Sequence, residues 1–422
     1  MGLHIVAPLL AGWFAASACT AAPAENWPQF RGPQGDGQAQ AKGLPLFWSE
    51  TRNIRWKTRI HDSGWSSPVI WDRQVWMTTS TADGKRLYAV CIDRDKGEVA
   101  HDILVFENER PQEIWSNTNG HASPTPVIEK GRIYVHFGSY GTACLDTASG
   151  QMLWTRRDLN CDHRIGPASS PILFRDLLIL HVDGCDVQYV AALDKRTGKT
   201  VWKTGRSADY RGVAPGLRYA ASTPTVAEVG GRQQLISPGG RIVAAYDALL
   251  GEELWKVQTT GHAAVPRPLV GAGLAFVVTD QYDPDLLAVR LDGRGDVTKS
   301  HVAWRIHKHG APSVPSFLLA GDLLYLIADD GIATCLEARS GKAAWQERLG
   351  GSYYASPLMA DGRIYAVNTK GVTTVLEAGR QFKVLSTNAL GGDRVWASPA
   401  VYDKALFLRT ETHLYRIEEE SP

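Results

Sequence analysis

The chain repeats one phrase, which is clearest at Ala355–Gly379 (ASPLMADGRIYAVNTKGVTTVLEAG). An apolar segment follows a Ser-Pro pair, an Asp-Gly turn leads to two more apolar segments, and an acidic residue precedes the last Gly. Neighbouring copies lie 42 to 56 residues apart, measured between their prolines. A period of this size that is built of strands is typical of a β-propeller. The copies begin at Ser66-Ser67-Pro68, Ala122-Ser123-Pro124, Ser169-Ser170-Pro171, Ser222-Thr223-Pro224, Pro266-Arg267-Pro268, Val314-Pro315, Ala355-Ser356-Pro357 and Ala397-Ser398-Pro399.

The two ends of the repeat array complement each other. The last copy, Ala397–Ile417, supplies only three strands, whereas Asn53–Ile60 alternates as a strand with no copy of its own. We therefore predict an all-β protein, an eight-bladed β-propeller of four-stranded antiparallel blades over residues 53–420, in which the strand bearing Trp56 completes the last blade. A tryptophan also recurs four positions after a turn glycine, where its large area favours packing between blades. These pairs are Gly150/Trp154, Gly198/Trp202, Gly251/Trp255 and Gly341/Trp345.

The N-terminal segment predicts export. Val6–Ala18 is apolar but too short to span a bilayer, and small residues follow it, as in a signal peptide covering residues 1–24. The segment Ala16–Cys19 is similar to a bacterial lipobox, which would make Cys19 a lipidated N-terminus; cleavage after Ala18 or Ala24 is the alternative. We expect a periplasmic or extracellular protein, attached to a membrane only through such an anchor. Residues 25–52 are predicted to form an extended arm anchored by Trp27 and Phe30.

Charge and cysteine usage exclude some classes of function. Lys and Arg total 45 against 44 Asp and Glu, so no strong electrostatic field attracts nucleic acid. We also expect the protein to be a monomer. The six cysteines form no C-x-x-C motif that would indicate zinc, haem or redox chemistry. Cys161 and Cys185 fall in successive loops of one repeat; they could form a disulfide, but free thiols are favoured.

A candidate site lies at one mouth of the predicted axial channel. The position three residues before each repeat proline should line this mouth, and its large or polar members belong to blades seven, eight, one and two, which are contiguous once the ring closes. We predict an aromatic and basic pocket there, suited to a planar or sugar-like ligand or a protein partner. The alternative is that these rings plug the channel. The mouth column is Trp65, His121, Ala168, Ala221, Val265, Pro312, Tyr354 and Trp396, with Tyr353, Arg394, Asp162, His163 and Arg164 nearby.

No catalytic or metal site is predicted. No serine lies in a G-x-S-x-G motif, the paired carboxylates occur mainly in turns, and His307 and His309 would need metal ligands from elsewhere. Two insertions, Asp102–Gly120 and Arg206–Arg218, lengthen the exits from blades one and three, where binding loops usually occur.

The motifs A-S-P-x-x-x-x-G-R-I-Y and D-x-x-x-G-x-x-x-W resemble the pyrroloquinoline quinone (PQQ) repeat over Asn53–Ile417, and WPQFRGPQGDG followed by GWSSPV resembles exported bacterial PQQ-like propellers. The resemblance implies either a quinoprotein dehydrogenase or a BamB-like interaction platform. In the dehydrogenases the quinone stacks between a tryptophan and a disulfide of adjacent cysteines, beside calcium. This chain has no adjacent cysteines. We expect an exported binding or scaffold propeller without a cofactor; the alternatives are an oxidoreductase using PQQ with calcium, stacked on Trp65 or Trp396, and a polysaccharide-binding module.

Overall fold

Eight four-stranded antiparallel sheets surround a central axis, as the repeat predicts, in a computed structural model that describes residues 25–116, 118–308 and 310–419. The predicted signal peptide and Cys19 lie outside the described residues. Two short strands precede the first complete blade, β1 (Gln38–Ala39) and β2 (Ile54–Arg59). Blades one to four are formed by β3 (Val69–Trp71), β4 (Gln74–Ser80), β5 (Arg86–Asp93) and β6 (Val99–Glu107); β7 (Val127–Glu129), β8 (Arg132–His136), β9 (Thr142–Asp146) and β10 (Met152–Arg156); β11 (Ile172–Phe174), β12 (Leu177–Asp183), β13 (Gln188–Asp194) and β14 (Thr200–Gly205); and β15 (Thr225–Val229), β16 (Arg232–Gly239), β17 (Ile242–Asp247) and β18 (Glu253–Gln258).

Blades five to eight continue the same order, from an inner strand at the axis to an outer strand at the periphery. Inside the fifth repeat, β22 (Gly295–Asp296) leaves its own blade and pairs in parallel with β18. The described residues contain no helix long and apolar enough to cross a membrane. These blades are formed by β19 (Leu269–Gly271), β20 (Leu274–Val278), β21 (Asp285–Arg290) and β23 (Val302–His307); β24 (Leu318–Ala320), β25 (Leu323–Ile327), β26 (Ile332–Glu337) and β27 (Ala343–Arg348); β28 (Leu358–Ala360), β29 (Arg363–Val367), β30 (Val372–Glu377) and β31 (Val384–Ala389); and β32 (Ala400–Tyr402), β33 (Ala405–Arg409) and β34 (His413–Ile417), completed by β2.

The ring closes through its first long strand, which confirms the prediction for Trp56. Strand β2 pairs antiparallel with β34, in a register that places Trp56 opposite Arg416. The indole ring packs edge-on against Phe407, 5.9 Å between centroids, and its Nε1 donates to the carbonyl oxygen of Arg94 in blade one. Closure covers the edge of β34 that the last repeat alone would leave unpaired.

The recurring turn glycine and outer-strand tryptophan are explained by packing between neighbouring blades. In four pairs of neighbouring blades, a tryptophan on the outer strand lies against the turn glycine of the next blade. A Cβ on Gly97 would lie 2.7 Å from the Trp56 ring, and one on Gly198 would lie 2.7 Å from Trp154. Both glycines also have positive φ, so the position needs glycine for its backbone conformation and for close approach. The other two pairs are Trp202 with Gly251 and Trp304 with Gly341.

A ring of hydroxyl groups links the blades around the axis. In seven blades, the residue two positions before the start of the inner strand is Ser or Thr. Its hydroxyl accepts a hydrogen bond from the backbone N–H of the matching residue in the preceding blade, at 2.9 to 3.0 Å. Arg267 occupies the eighth position and has no hydroxyl to continue the series. We call this set the hydroxyl ring: Ser67, Thr125, Ser170, Thr223, Ser316, Ser356 and Ser398.

From the hydroxyl ring, the inner strands run toward one end of the channel. The N-terminal arm crosses the channel at that end. Trp27 exchanges two backbone hydrogen bonds with Ile70 of β3 in blade one, and β1 pairs in parallel with β28 of blade seven. Between these points, Arg31 donates to the carbonyl oxygens of Asp36 and Phe317, both at 2.6 Å. Arg267 donates to the carbonyl oxygen of Phe30, also at 2.6 Å. The arm is therefore fixed across one end of the channel.

Candidate functional site

The axial channel forms a well of about 480 Å³. Phe30 of the arm lines its closed end, and the hydroxyl ring lines its wall. The lining contains no Asp, Glu, Lys, Arg or His within the described part of the chain. This volume falls in the range of small-molecule sites, and the mixture of rings and hydroxyls suits a ligand with both apolar and polar faces. The mouth of the well is lined by Trp65, Ser123, Ala168, Ala221, Val265, Val314, Tyr354 and Trp396.

Two positions of the predicted mouth column are wrong, because Pro124 in blade two and Pro315 in blade six do not directly precede the inner strand. In blade two, β7 starts directly after Pro126, so Pro126 and not Pro124 matches Pro68. The mouth residue is then Ser123 instead of His121. In blade six, Phe317 takes the place of the proline before β24.

The corrected alignment changes the mouth residue of blade six from Pro312 to Val314. His121 instead packs beside Tyr140, with its Nδ1 2.9 Å from the tyrosine hydroxyl. The other six members of the column are at the mouth, as predicted.

Four of the predicted site residues form one cluster at the mouth. The rings of Trp65 and Trp396 lie 4.2 Å apart, and Tyr354 lies 5.4 Å from Trp396 on its other side. The guanidinium of Arg394 lies 5.7 and 5.4 Å from the two indole rings and forms a two-point ion pair with Glu411. These four residues make a partly exposed aromatic platform on the side of blades seven, eight and one, which we call the Trp65 platform.

The remaining predicted residues lie apart from this platform. Tyr353 does not contribute to it, because its ring is buried in the core between blades six and seven with Ile327 and Ala366. Arg164 stacks on Trp115, 4.2 Å from the ring centre, further round the mouth. Asp162 is exposed and accepts the backbone N–H of Arg164.

His163 lies below the surface and not at the mouth. Its side chain is 6% exposed beside Tyr140, and neither ring nitrogen has a hydrogen-bond partner among the described residues. Burial lowers the pKa of His163 to about 3 and that of His136 to about 4, so both are neutral at pH 7. His163 therefore adds no positive charge to the site.

The sequence did not single out two exposed rings that also line the mouth. Trp115 is 68% exposed and lies in the insertion Asp102–Gly120, which was expected to carry a binding loop. Tyr282 is 65% exposed and stacks on His262, 5.5 Å between centroids. It stands on the side of blades four and five, away from the Trp65 platform. In the sequence, only the position of Tyr282 on a loop between two strands could have indicated a role in the site.

Other groups near the site are already engaged. Burial raises the pKa of Asp329 to about 6, and its carboxylate accepts the backbone N–H of Ser313 at 2.6 Å. Cys161 and Cys185 are free buried thiols, as favoured from the sequence. No group of three or more His, Cys, Asp or Glu that could hold a metal ion occurs among residues 25–116, 118–308 and 310–419.

The fold and the repeat define a class, the eight-bladed propellers of the PQQ-repeat type. The family model described as "Outer membrane protein assembly factor BamB" matches residues 186–419, more than half of the chain, and the chain belongs to this family. No curated protein sequence matches significantly.

Solved structures share the fold at low identity. BamB from Moraxella catarrhalis has 12% identity and a TM-score of 0.59 over 86% of this chain and 99% of that one. The quinohemoprotein alcohol dehydrogenase from Comamonas testosteroni has 12% identity and a TM-score of 0.63 over 94% and 81%. Because these neighbours include both an assembly factor and a dehydrogenase, the fold does not decide whether the chain is an enzyme.

Proposed function

We propose that this protein is an exported, non-catalytic binding propeller whose site is the axial well and whose ligand is sugar-like. The observation that carries the proposal is the well itself, which is closed by Phe30, walled by the hydroxyl ring and bordered by the Trp65 platform. A saccharide has apolar C–H faces that can cover an indole ring and hydroxyls that can bond to a polar wall. Trp115 and Tyr282 add rings at other points of the mouth, so a chain of several sugars would meet more than one ring.

The alternative, a PQQ-dependent oxidoreductase with calcium, fits this well poorly. Calcium takes six to eight oxygen ligands and generally includes carboxylates, whereas the lining offers amides and hydroxyls but no Asp or Glu in the described part of the chain. Trp65 and Trp396 already lie against each other, so the faces that they turn toward one another leave no slot for a flat quinone. These features support binding without catalysis, and we derive no step through the quinone.

The test is the binding of neutral and acidic trisaccharides, measured by isothermal titration calorimetry. The double variant Trp65→Ala/Trp396→Ala should lower the affinity at least about tenfold, because aromatic anchors in a pocket contribute much of the binding energy. Phe47→Ala is the matched control, since Phe47 is a 47% exposed ring on the arm and does not line the well.

Two outcomes would overturn the proposal. One is the absence of binding by any of the trisaccharides. The other is a double variant that melts at a lower temperature but binds as tightly as the parent, which would mean that the rings plug the channel. Retention of added PQQ through gel filtration, with reduction of a dye by alcohols, would favour the oxidoreductase instead.

A further inference from the structure

Three buried guanidinium groups lie next to residues of the well, and none of them forms an ion pair with a described carboxylate. The side chains of Arg31, Arg267 and Arg409 are 3%, 3% and 1% exposed, and none of them forms an ion pair with a described residue. Buried arginines in proteins are normally paired; here Arg206 is, with two bonds to Asp183. The three unpaired groups are therefore an exception that needs an explanation.

Each of these arginines is bonded to a lining residue or to the sequence neighbour of one. Arg31 follows Phe30, and Arg267 donates to the carbonyl oxygen of Phe30. Arg409 donates to the carbonyl oxygen and the hydroxyl of Ser66, which stands between two lining residues. The positive charges are thus grouped around one cavity and are not scattered through the core.

Neutral oxygen atoms accept the hydrogen bonds that these groups donate. The bonds of Arg31 and Arg267 go to carbonyl, hydroxyl and amide oxygens, and the Nε of Arg409 has no partner among the described residues. Burial lowers the pKa of Arg31 to about 10 and those of Arg267 and Arg409 to about 9. The Asp36 carboxylate partly offsets the charges of Arg31 and Arg267 without forming an ion pair, whereas burial alone lowers the pKa of Arg409. One carboxylate beside three buried guanidinium groups leaves an excess of positive charge, which favours an anion nearby because the surrounding protein screens it weakly.

The hydroxyl ring also favours a ligand that accepts hydrogen bonds. Each of its hydroxyls already accepts one backbone N–H, and none donates to an acceptor within the described residues. A hydroxyl has one hydrogen to donate, so the wall of the well presents seven free O–H groups to its contents. A carboxylate or sulfate only accepts hydrogen bonds and meets such a wall without competition, whereas a neutral sugar hydroxyl also has to place its own hydrogen.

We propose that the ligand of the well is an acidic saccharide, with an oxyanion group directed toward the hydroxyl ring and the floor formed by the arm. This inference rests on the proposed function and names its ligand class. The shared chemistry is an oxyanion, which either a uronic acid or a sulfated sugar supplies. The well contributes three positive charges close to its lining and no negative one on it.

The experiment compares three trisaccharides on the purified protein by calorimetry: trigalacturonate, a sulfated galactose trisaccharide and neutral galactotriose. At least one acidic trisaccharide should bind about tenfold or more tightly than galactotriose, and the tighter of the two identifies the source of the oxyanion. Equal affinities, or a preference for galactotriose, would overturn this inference and leave the proposed function standing. Absence of binding by all three would overturn both.

Isosteric variants test whether the hydroxyl ring causes the preference for an acidic ligand. Thr125→Val and Thr223→Val each remove one O–H group of the hydroxyl ring at almost constant shape, and each should lower the affinity for the acidic trisaccharide about tenfold. Thr373→Val is the matched control, because Thr373 is a buried threonine outside the well whose hydroxyl has no partner among the described residues. Arg409→Met should reduce the preference for the acidic ligand. Full acidic preference in both threonine variants would contradict the assignment.

Discussion

Replacing Trp56 with Ala tests how the propeller closes. The indole of Trp56 is partly buried between Phe407 and Gly97 and donates one hydrogen bond to blade one. Truncation of a fully buried Trp costs about 3 to 5 kcal/mol, and the partial exposure of Trp56 reduces this to about 2 to 3 kcal/mol. The lost hydrogen bond adds about 1 kcal/mol. We therefore expect the free energy of unfolding to fall by about 3 kcal/mol.

The assay is urea denaturation followed by tryptophan fluorescence and circular dichroism. Trp115→Ala is the matched control; because its ring is 68% exposed, we expect a change below about 0.5 kcal/mol. Hydrogen exchange should also become faster in β34, the strand that pairs with β2. A loss smaller than about 1 kcal/mol for Trp56→Ala, or unchanged exchange in β34, would refute the claim that this strand holds the ring closed.

A lower pH, the replacement of one buried arginine and the deletion of residues 1–24 each have an expected effect. Because burial lowers the pKa values of His136 and His163 in the folded state to about 4 and 3, the unfolded state binds more protons below about pH 6.5. These two histidines should lower the free energy of unfolding by about 4 kcal/mol between pH 7.5 and 5, and His181, whose pKa burial also lowers, adds to this loss. The raised pKa of Asp329 offsets about 1 kcal/mol of it. A midpoint of urea unfolding that does not change between these pH values would contradict this. Arg267→Met removes the bond to the Phe30 carbonyl, so hydrogen exchange across residues 27–39 should become faster, and unchanged protection there would mean that other contacts fix the arm. Deletion of residues 1–24 should retain the protein in the cytoplasm of the producing cell, and export of the shortened chain would contradict the signal-peptide prediction.

The sequence predicts the ring of blades because each blade depends on local signals. Asp361-Gly362 specifies a tight hairpin, and a turn glycine followed four positions later by a tryptophan occurs in four of the eight blades. The closure could be inferred from an incomplete last repeat and an unassigned first strand. The predicted alignment of the repeats is wrong in two blades, where the proline that precedes the inner strand is ambiguous. Blade two has two prolines, Pro124 and Pro126, and blade six has Phe317 where a proline was expected.

The well was only partly predictable, because its closed end depends on contacts between distant parts of the chain. The sequence pointed to Phe30 as an anchor, but nothing local indicates that Arg31 would donate to the carbonyl of Phe317 or that Arg267 would donate to that of Phe30. The three rings of the Trp65 platform could be predicted because Trp65, Tyr354 and Trp396 occupy equivalent positions of the repeat. Trp115 and Tyr282 stand on loops that follow no repeat, so only the fold brings them to the mouth.

Blocking the well without removing any contact tests the central claim most directly. Ala168 is a small residue at the mouth, and Ala168→Trp would fill the entrance while leaving the Trp65 platform and the hydroxyl ring intact. Ala148→Trp, in an exposed turn of blade two, is the control. In titrations with the tightest trisaccharide, we predict that Ala168→Trp abolishes binding and that the control binds normally. Undiminished binding by Ala168→Trp would show that the ligand site lies outside the well.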